Sequence, residues 1–254
     1  MPEHPRVLIR TFGELGMEID GVPSRPGLGK AVEIAKLVAA SGRRGVTREQ
    51  LVQQVFETST DARNYLRQAL HRLRRTVPDG VALAEESGRL RWEPEYAVVN
   101  EDQVLEALTT RARLAMGPER VRLLSEAVRI PERGTYLPGM AGEGIDARRR
   151  RLGELDAEIR RDLALALLSG GHAGEAARLL EEALLEDPWH EGAWQGLMRA
   201  EALLGGPEAV AGILQRCVAA LAEAGLDPCD ATLRLAETLR RSPQRSGSAA
   251  DRAP

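Results

Sequence analysis

Between Asp61 and Thr76 the chain reads DARNYLRQALHRLRRT, with five arginines, one histidine, one asparagine, one glutamine and no acid after Asp61. These are side chains that hydrogen-bond base edges and phosphates. Arginine offers a two-pronged donor to guanine or phosphate, and asparagine and glutamine pair with adenine. On a helix at 100° per residue, Ala62, Ala69, Leu70, Leu73 and Val77 fall within about 60° of Leu66, with Tyr65 at their border. Asn64, Gln68, His71 and Arg75 lie opposite, flanked by Arg63, Arg67 and Arg74 on one edge and Arg72 on the other. Solvated helices ordinarily mix glutamate with arginine at a spacing of four. This face has no such support, and its like charges are unfavourable unless an anion lies nearby. Recognition helices read bases with their N-terminal part, which makes Arg63, Asn64, Arg67, Gln68 and His71 the base-reading candidates. Arg72, Arg74 and Arg75 are then candidates for phosphates. A merely solvated basic helix is the alternative.

Such a helix must be positioned by what surrounds it. Residues 6–22 alternate apolar and polar positions around Gly13, with Val7, Ile9, Leu15, Met17 and Ile19 suited to an antiparallel hairpin and Asp20-Gly21 to a turn. A helix follows over 31–40, with Ile34, Leu37 and Val38 inward and Gly42 as its stop. Thr47 with Gln50 three residues on is a capping-box pattern ahead of Leu51, Val52 and Val55. The polar break ETST and Asp61, a suitable N-cap, lead into the basic helix. Beyond Pro78, Val81 and Leu83 alternate with Leu90 and Trp92 around Ser87-Gly88, which predicts a second hairpin. Arg89 and Arg91 lie on one face of its second strand and add phosphate candidates. A small sheet, three helices with the third basic, and a hairpin make a winged helix-turn-helix.

From residue 101 the pattern is continuous helix, in segments near 101–115, 118–130, 146–169, 172–186, 190–204, 207–224 and 229–241. Glu175-Ala176 through Asp187-Pro188 weakly repeats as Glu208-Ala209 through Asp227-Pro228. Small residues at 176, 177 and 183 suit the close packing of tetratricopeptide-like helix pairs. The polar, small-residue segment from 242 reads as a disordered tail.

The net charge of −3 is divided unevenly. Residues 1–100 hold 15 Lys+Arg against 13 Asp+Glu, whereas the remainder holds 20 against 25. The basic excess is thus N-terminal, where the candidate helix lies. There is no signal-peptide pattern and no apolar run of about 18 residues, so a cytoplasmic protein without a membrane span is expected. Cys217 and Cys229 lack metal-site spacing and are expected to be reduced and structural.

Three lookalikes carry less weight. RPGLGKA (25–31) resembles a phosphate-binding loop, but position 24 is Ser rather than Gly and position 31 is Ala rather than Ser or Thr. Lys30, at that helix N-terminus, stays a candidate phosphate contact. HEGAW (190–194) has Trp194 where a zinc-protease motif has its second histidine, and reads as a repeat helix start. RRRRL (148–152) is followed by acids at helical spacing and reads as solvated or paired within the chain. No nucleophile–base pair, paired carboxylates or metal cluster emerges, so neither an enzyme nor a cofactor or metal is expected.

VLIRTFGEL, LRQALHRLRR, LEDPWHEGAWQGLMRAEALLG and GLDP, in that order, resemble the landmarks of SARP-type bacterial transcriptional activators over about residues 6–240. The resemblance implies a response-regulator-type winged helix before a tetratricopeptide-like activator domain. It also implies sequence-specific binding to promoter repeats in double-stranded DNA, often as a homodimer, and recruitment of RNA polymerase holoenzyme. Its recognition helix maps onto Ala62 to Arg75. The chain departs from the family at Val55-Phe56, at Ser87 to Leu90, at Ile213 and in VVNEDQVL. The expected fold is therefore mainly α with small β-sheets. A winged helix-turn-helix (1–99) precedes an all-α helical-repeat domain (100–241) and a tail (242–254). The expected function is DNA-binding transcriptional regulation, with the helical half for dimerisation or regulation. A protein-interaction scaffold with a repurposed winged helix is the competing reading.

Overall fold

A computed structural model describes residues 6–24, 29–56, 61–76 and 83–241, so the loop at 25–28, the break at 57–60, Val77, Val81 and the tail from 242 lie outside the described residues. The chain divides into two compact units, residues 1–110 with 126–153, and residues 111–125 with 154–254.

The first unit holds two small sheets around three helices. Strands β1 (Arg6–Arg10), β2 (Gly16–Ile19) and β3 (Val22–Ser24) form an antiparallel meander, one strand more than the expected hairpin. Val7 faces Ile19 and Ile9 faces Met17, all four buried. Asp20 and Gly21 both have positive φ (51° and 81°), the turn that matches right-handed strand twist. Helix α1 (Gly29–Ser41) is followed by β4 (Val46–Thr47), α2 (Arg48–Val55) and α3 (Ala62–Thr76). The capping box forms as read: Gln50 N–H donates to Thr47 Oγ1 at 3.2 Å, and Thr47 N–H to Gln50 Oε1 at 2.9 Å. The wing pairs β5 (Leu83–Glu86) with β6 (Arg89–Trp92) across Ser87-Gly88, again with positive φ at both residues.

These elements share one core. Ile34 and Val38 of α1 meet Leu51 of α2, Leu66, Leu70 and Leu73 of α3, and Leu90 of the wing. The buried stripe of α3 is therefore the one its periodicity predicts. Two pairings are not legible from local pattern. β4 adds to β6, giving the order β4-β6-β5, and β7 (Ala97–Asn100) lies parallel to β1, giving β3-β2-β1-β7.

Helix α4 (Glu101–Leu114) starts directly from β7. Glu101 is 1% exposed, and its Oε2 accepts the Thr11 and Phe12 N–H groups at 2.9 and 3.0 Å. Arg133 pairs with its other oxygen. Asp102, 3% exposed, takes Arg148 through Nε (3.1 Å) and Nη2 (2.8 Å). Arg149 donates to the carbonyls of Tyr136, Leu137 and Met140. Two arginines of the run at 148–152 are thus paired within the chain. Gly13 N–H donates to Thr135 O at 3.1 Å and Leu137 N–H to Thr11 O at 2.7 Å, binding residues 11–13 to 135–137.

The second unit consists of helices joined by short connections, with no strand among its described residues. α4, α5 (Gly117–Val128) and α6 (Glu143–Ser169) each contribute to both units. α7 (Ala173–Glu186), α8 (Glu191–Leu204), α9 (Gly206–Glu223) and α10 (Asp230–Arg241) belong to the second alone. Ala176, Ala177 and Ala183 are buried, as close helix packing requires. A Cβ at Gly196 would meet Leu180 at 3.1 Å, so α8 approaches α7 through that glycine. His190 caps α8, its Nδ1 accepting the Ala193 N–H at 3.0 Å, which explains HEGAW as a helix start. Cys217 and Cys229 are free thiols; burial pushes that of Cys217 up to about 11. No helix among the described residues is long and apolar enough to cross a membrane.

Two stability predictions follow from this packing. A Cβ on Gly13, at φ 62°, would lie 2.0 Å from the Arg133 carbonyl oxygen, so Gly13→Ala forces backbone apart as well as straining φ. Urea unfolding should show a loss of about 3 kcal/mol, against about 1 kcal/mol for Gly21→Ala, which meets no atom. On α3, Leu70→Ala should remove about 2–5 kcal/mol, while Gln68→Ala should stay within about 0.5 kcal/mol. Equal losses at Leu70 and Gln68 would refute the assignment of the two faces.

Candidate nucleic-acid interface

The candidate side chains stand on α2, α3 and the β5–β6 wing. Because Leu66, Leu70 and Leu73 are inserted into the core, the opposite side of α3 turns outward. Arg63, Arg67, Gln68, His71, Arg72 and Arg75 are exposed, and Asn64 and Arg74 half-buried. Among the described residues, no partner within the chain takes the side chains of Arg63, Gln68, His71, Arg72 or Arg75.

Asn64 and Arg67 are organised at the helix start. Asp61 Oδ2 accepts from Asn64 Nδ2 at 3.0 Å, and Asn64 Oδ1 accepts from Arg67 Nη2 at 2.9 Å. The Asp61 carbonyl receives the N–H groups of Asn64 and Tyr65. This chain of bonds holds the Arg67 guanidinium beside Asn64 with its remaining donors uncommitted. Tyr65, 49% exposed, stacks on Phe56 at 6.3 Å and so belongs to the α2 side rather than to the donor face.

The other candidates have partners inside the fold. Lys30 Nζ donates to Glu33 Oε2 at 3.0 Å and to the Val55 carbonyl at 2.9 Å. Arg89 Nη1 donates to the Gly45 carbonyl at 3.2 Å, and Arg91 pairs with Glu86 of the same hairpin. Arg74 Nη2 lies 4.0 Å from Glu85 Oε2. The structure therefore gathers Arg63, Asn64, Arg67, Gln68, His71, Arg72 and Arg75 on one outward face, while Lys30, Arg74, Arg89 and Arg91 already face an acceptor.

Two functional candidates escaped the sequence reading. Arg48, the first residue of α2, bonds Glu85 of β5 through Nε to Oε1 (2.8 Å) and Nη2 to Oε2 (2.6 Å). The hydrogen bonds from Arg48 hold the Glu85 carboxyl below the usual carboxylate range, and Glu85 raises Arg48 in return. The capping box locates Arg48 at a helix start, but nothing local indicates a partner 37 residues away. Arg48 also lines, with Gln53, Arg63 and Leu66, a cleft of about 340 Å³ between α2 and α3.

Chemically, the α3 face is a field of hydrogen-bond donors and positive charge on a rigid, core-anchored helix. It has the composition of a surface that reads polyanions. No curated protein matches the chain. Among solved structures, EmbR of Mycobacterium tuberculosis, in complex with a low-affinity phosphopeptide, matches 94% of this chain with a TM-score of 0.70 and 22% identity. This chain spans 66% of that one, and at such identity the likeness carries the fold: a winged unit with a helical one. Residues 101–240, more than half of the length, match the bacterial transcriptional activator domain. The chain therefore belongs to the bacterial transcriptional activator domain family.

Proposed function

We propose that this regulator binds specific double-stranded promoter DNA by laying α3 in the major groove. Arg63, Asn64, Arg67, Gln68 and His71 read base edges, while Arg72 and Arg75 hold phosphates. Arg74, Lys30, Arg89 and Arg91 are further phosphate contacts that must first loosen their internal bonds. The winged portion (1–99) is the DNA-binding part, and the helical portion (100–241) supports homodimerisation and contact with RNA polymerase holoenzyme at promoter repeats. The reading places the protein in the cytoplasm, where promoters and polymerase are found.

One observation carries it. The outward face of α3 has no acid of its own, and five of its polar side chains have no partner among the described residues. An adaptor surface has no reason to keep such a face free of carboxylates, because acids at i,i+4 would stabilise the helix. A groove lined with phosphates and base acceptors supplies that reason.

The test is Arg67→Ala with Gln68→Ala, measured by gel shift on duplexes that the wild-type protein selects from a random pool. Each lost base contact should weaken selected-site binding by about 1–3 kcal/mol and relax discrimination. Both residues are exposed, so the thermal melt should be unchanged. Wild-type affinity should also fall steeply with salt as counterions are released. Unchanged affinity of the double variant would sink the assignment, and a flat salt plot would favour the adaptor.

A further inference from the structure

Glu85 is the acid that the wing presents to the arginine edge of α3. It stands in β5, takes Arg48 of α2 in a two-pronged bond at 2.8 and 2.6 Å, and has Arg74 of α3 at 4.0 Å. Arg74 shares its helix edge with Arg63 and Arg67, and Arg48 lines the same cleft as Arg63. All three side chains remain partly open, at 40% for Arg48, 37% for Arg74 and 31% for Glu85. The cluster is thus partly open to solvent beside the arginine edge of α3.

A carboxylate and a phosphate present the same two-oxygen edge to a guanidinium. We infer that Glu85 is an intramolecular stand-in for a DNA phosphate, holding Arg48 and Arg74 when DNA is absent and restraining sequence-independent binding. The inference rests on the reading of α3 as the DNA-facing helix. It assigns to Arg48 a phosphate-contact role that competes with its ion pair. Phosphate contacts carry no sequence information, so a brake on them favours the share of affinity that base contacts supply. The ion pair is exposed and adds little to folding, which leaves control of the two arginines as its main effect.

Fluorescence anisotropy on two duplexes, one selected and one of mixed sequence, distinguishes the outcomes across about 50 to 200 mM salt. The proteins compared are wild type, Glu85→Gln, and Glu85→Gln with Arg48→Ala and Arg74→Ala. Glu85→Gln should steepen the log-affinity against log-salt slope by about 0.9 to 1.8, one or two phosphates' worth. Both duplexes should bind on the order of tenfold more tightly at about 0.1 M salt. The triple variant should lose that gain, and circular dichroism should be the same for all three. If wild type has a steep slope and Glu85→Gln matches it, the brake is refuted while the DNA reading stands. A gain that persists in the triple variant refutes the assignment to Arg48 and Arg74. A flat wild-type plot overturns the DNA reading and the brake together.

Discussion

The first unit depends on two buried carboxylates at the start of α4. A charge removed from water is strongly unfavourable unless opposite charges and hydrogen-bond donors surround it. Glu101 meets that demand with the backbone N–H groups of Thr11 and Phe12, just past β1, and with Arg133. Asp102 meets it through Oδ2 alone, with Arg148, with Lys36 at 3.7 Å and with the Tyr136 hydroxyl at 3.4 Å, while its Oδ1 is buried without a hydrogen-bond partner among the described residues. Burial pulls the Lys36 ammonium down despite the neighbouring Asp102. Four stretches distant in sequence are therefore fixed around one helix N-terminus, whose dipole also favours the two anions. The activator-domain match begins at this same Glu101, so the residue that opens the family domain also fastens the strand that opens the chain.

That anchoring matters for the candidate interface because the interface has little stabilisation of its own. Five arginines on fifteen residues repel one another, and the helix has no i,i+4 acids to offset this. Its hold on the fold comes from Leu66, Leu70 and Leu73, each at most 2% exposed. The seam in turn requires α1 and the wing to stay in place. Trp92 Nε1 donates to the Ala35 carbonyl at 3.2 Å, and β4 pairs with β6, so α1, α2 and the wing are tied to one another. A polar face this poor in internal support persists because its apolar face is over-determined.

What the sequence makes legible is what local chemistry decides. The stripe of α3, the capping box at Thr47 and the paired positive-φ turns need only a few adjacent residues, and the helices of the activator domain fall within a few residues of their expected bounds. What it hides depends on partners far away in the chain. β7 is four residues long, runs straight into α4 and pairs in parallel with a strand some ninety residues earlier, so neither alternation nor a turn marks it. VVNEDQVL looks like a surface segment with two acids until Thr11, Phe12 and Arg148 supply the donors. Arg89 and Arg91 do follow the strand periodicity, but their bonds to Gly45 and Glu86 depend on the register of β4, β5 and β6. Lys30 likewise has a phosphate-loop context in sequence and a Glu33 and Val55 context in space.

The placement of the arginines along α3 separates structural need from proposed function. A helix C-terminus favours cations, and Arg74 and Arg75 stand in the last turn, where they help the helix whatever else they touch. Arg63 and Arg67 stand near the N-terminus, where the dipole and the neighbouring N–H groups disfavour positive charge. Asp61 and Asn64 offset part of that through their bonded chain, yet Arg63 itself has no partner among the described residues. Folding alone would place an acid there. The cations that the helix does not need are the ones the proposed groove contact uses at the base edges, and those that stabilise it lie where phosphates would be held.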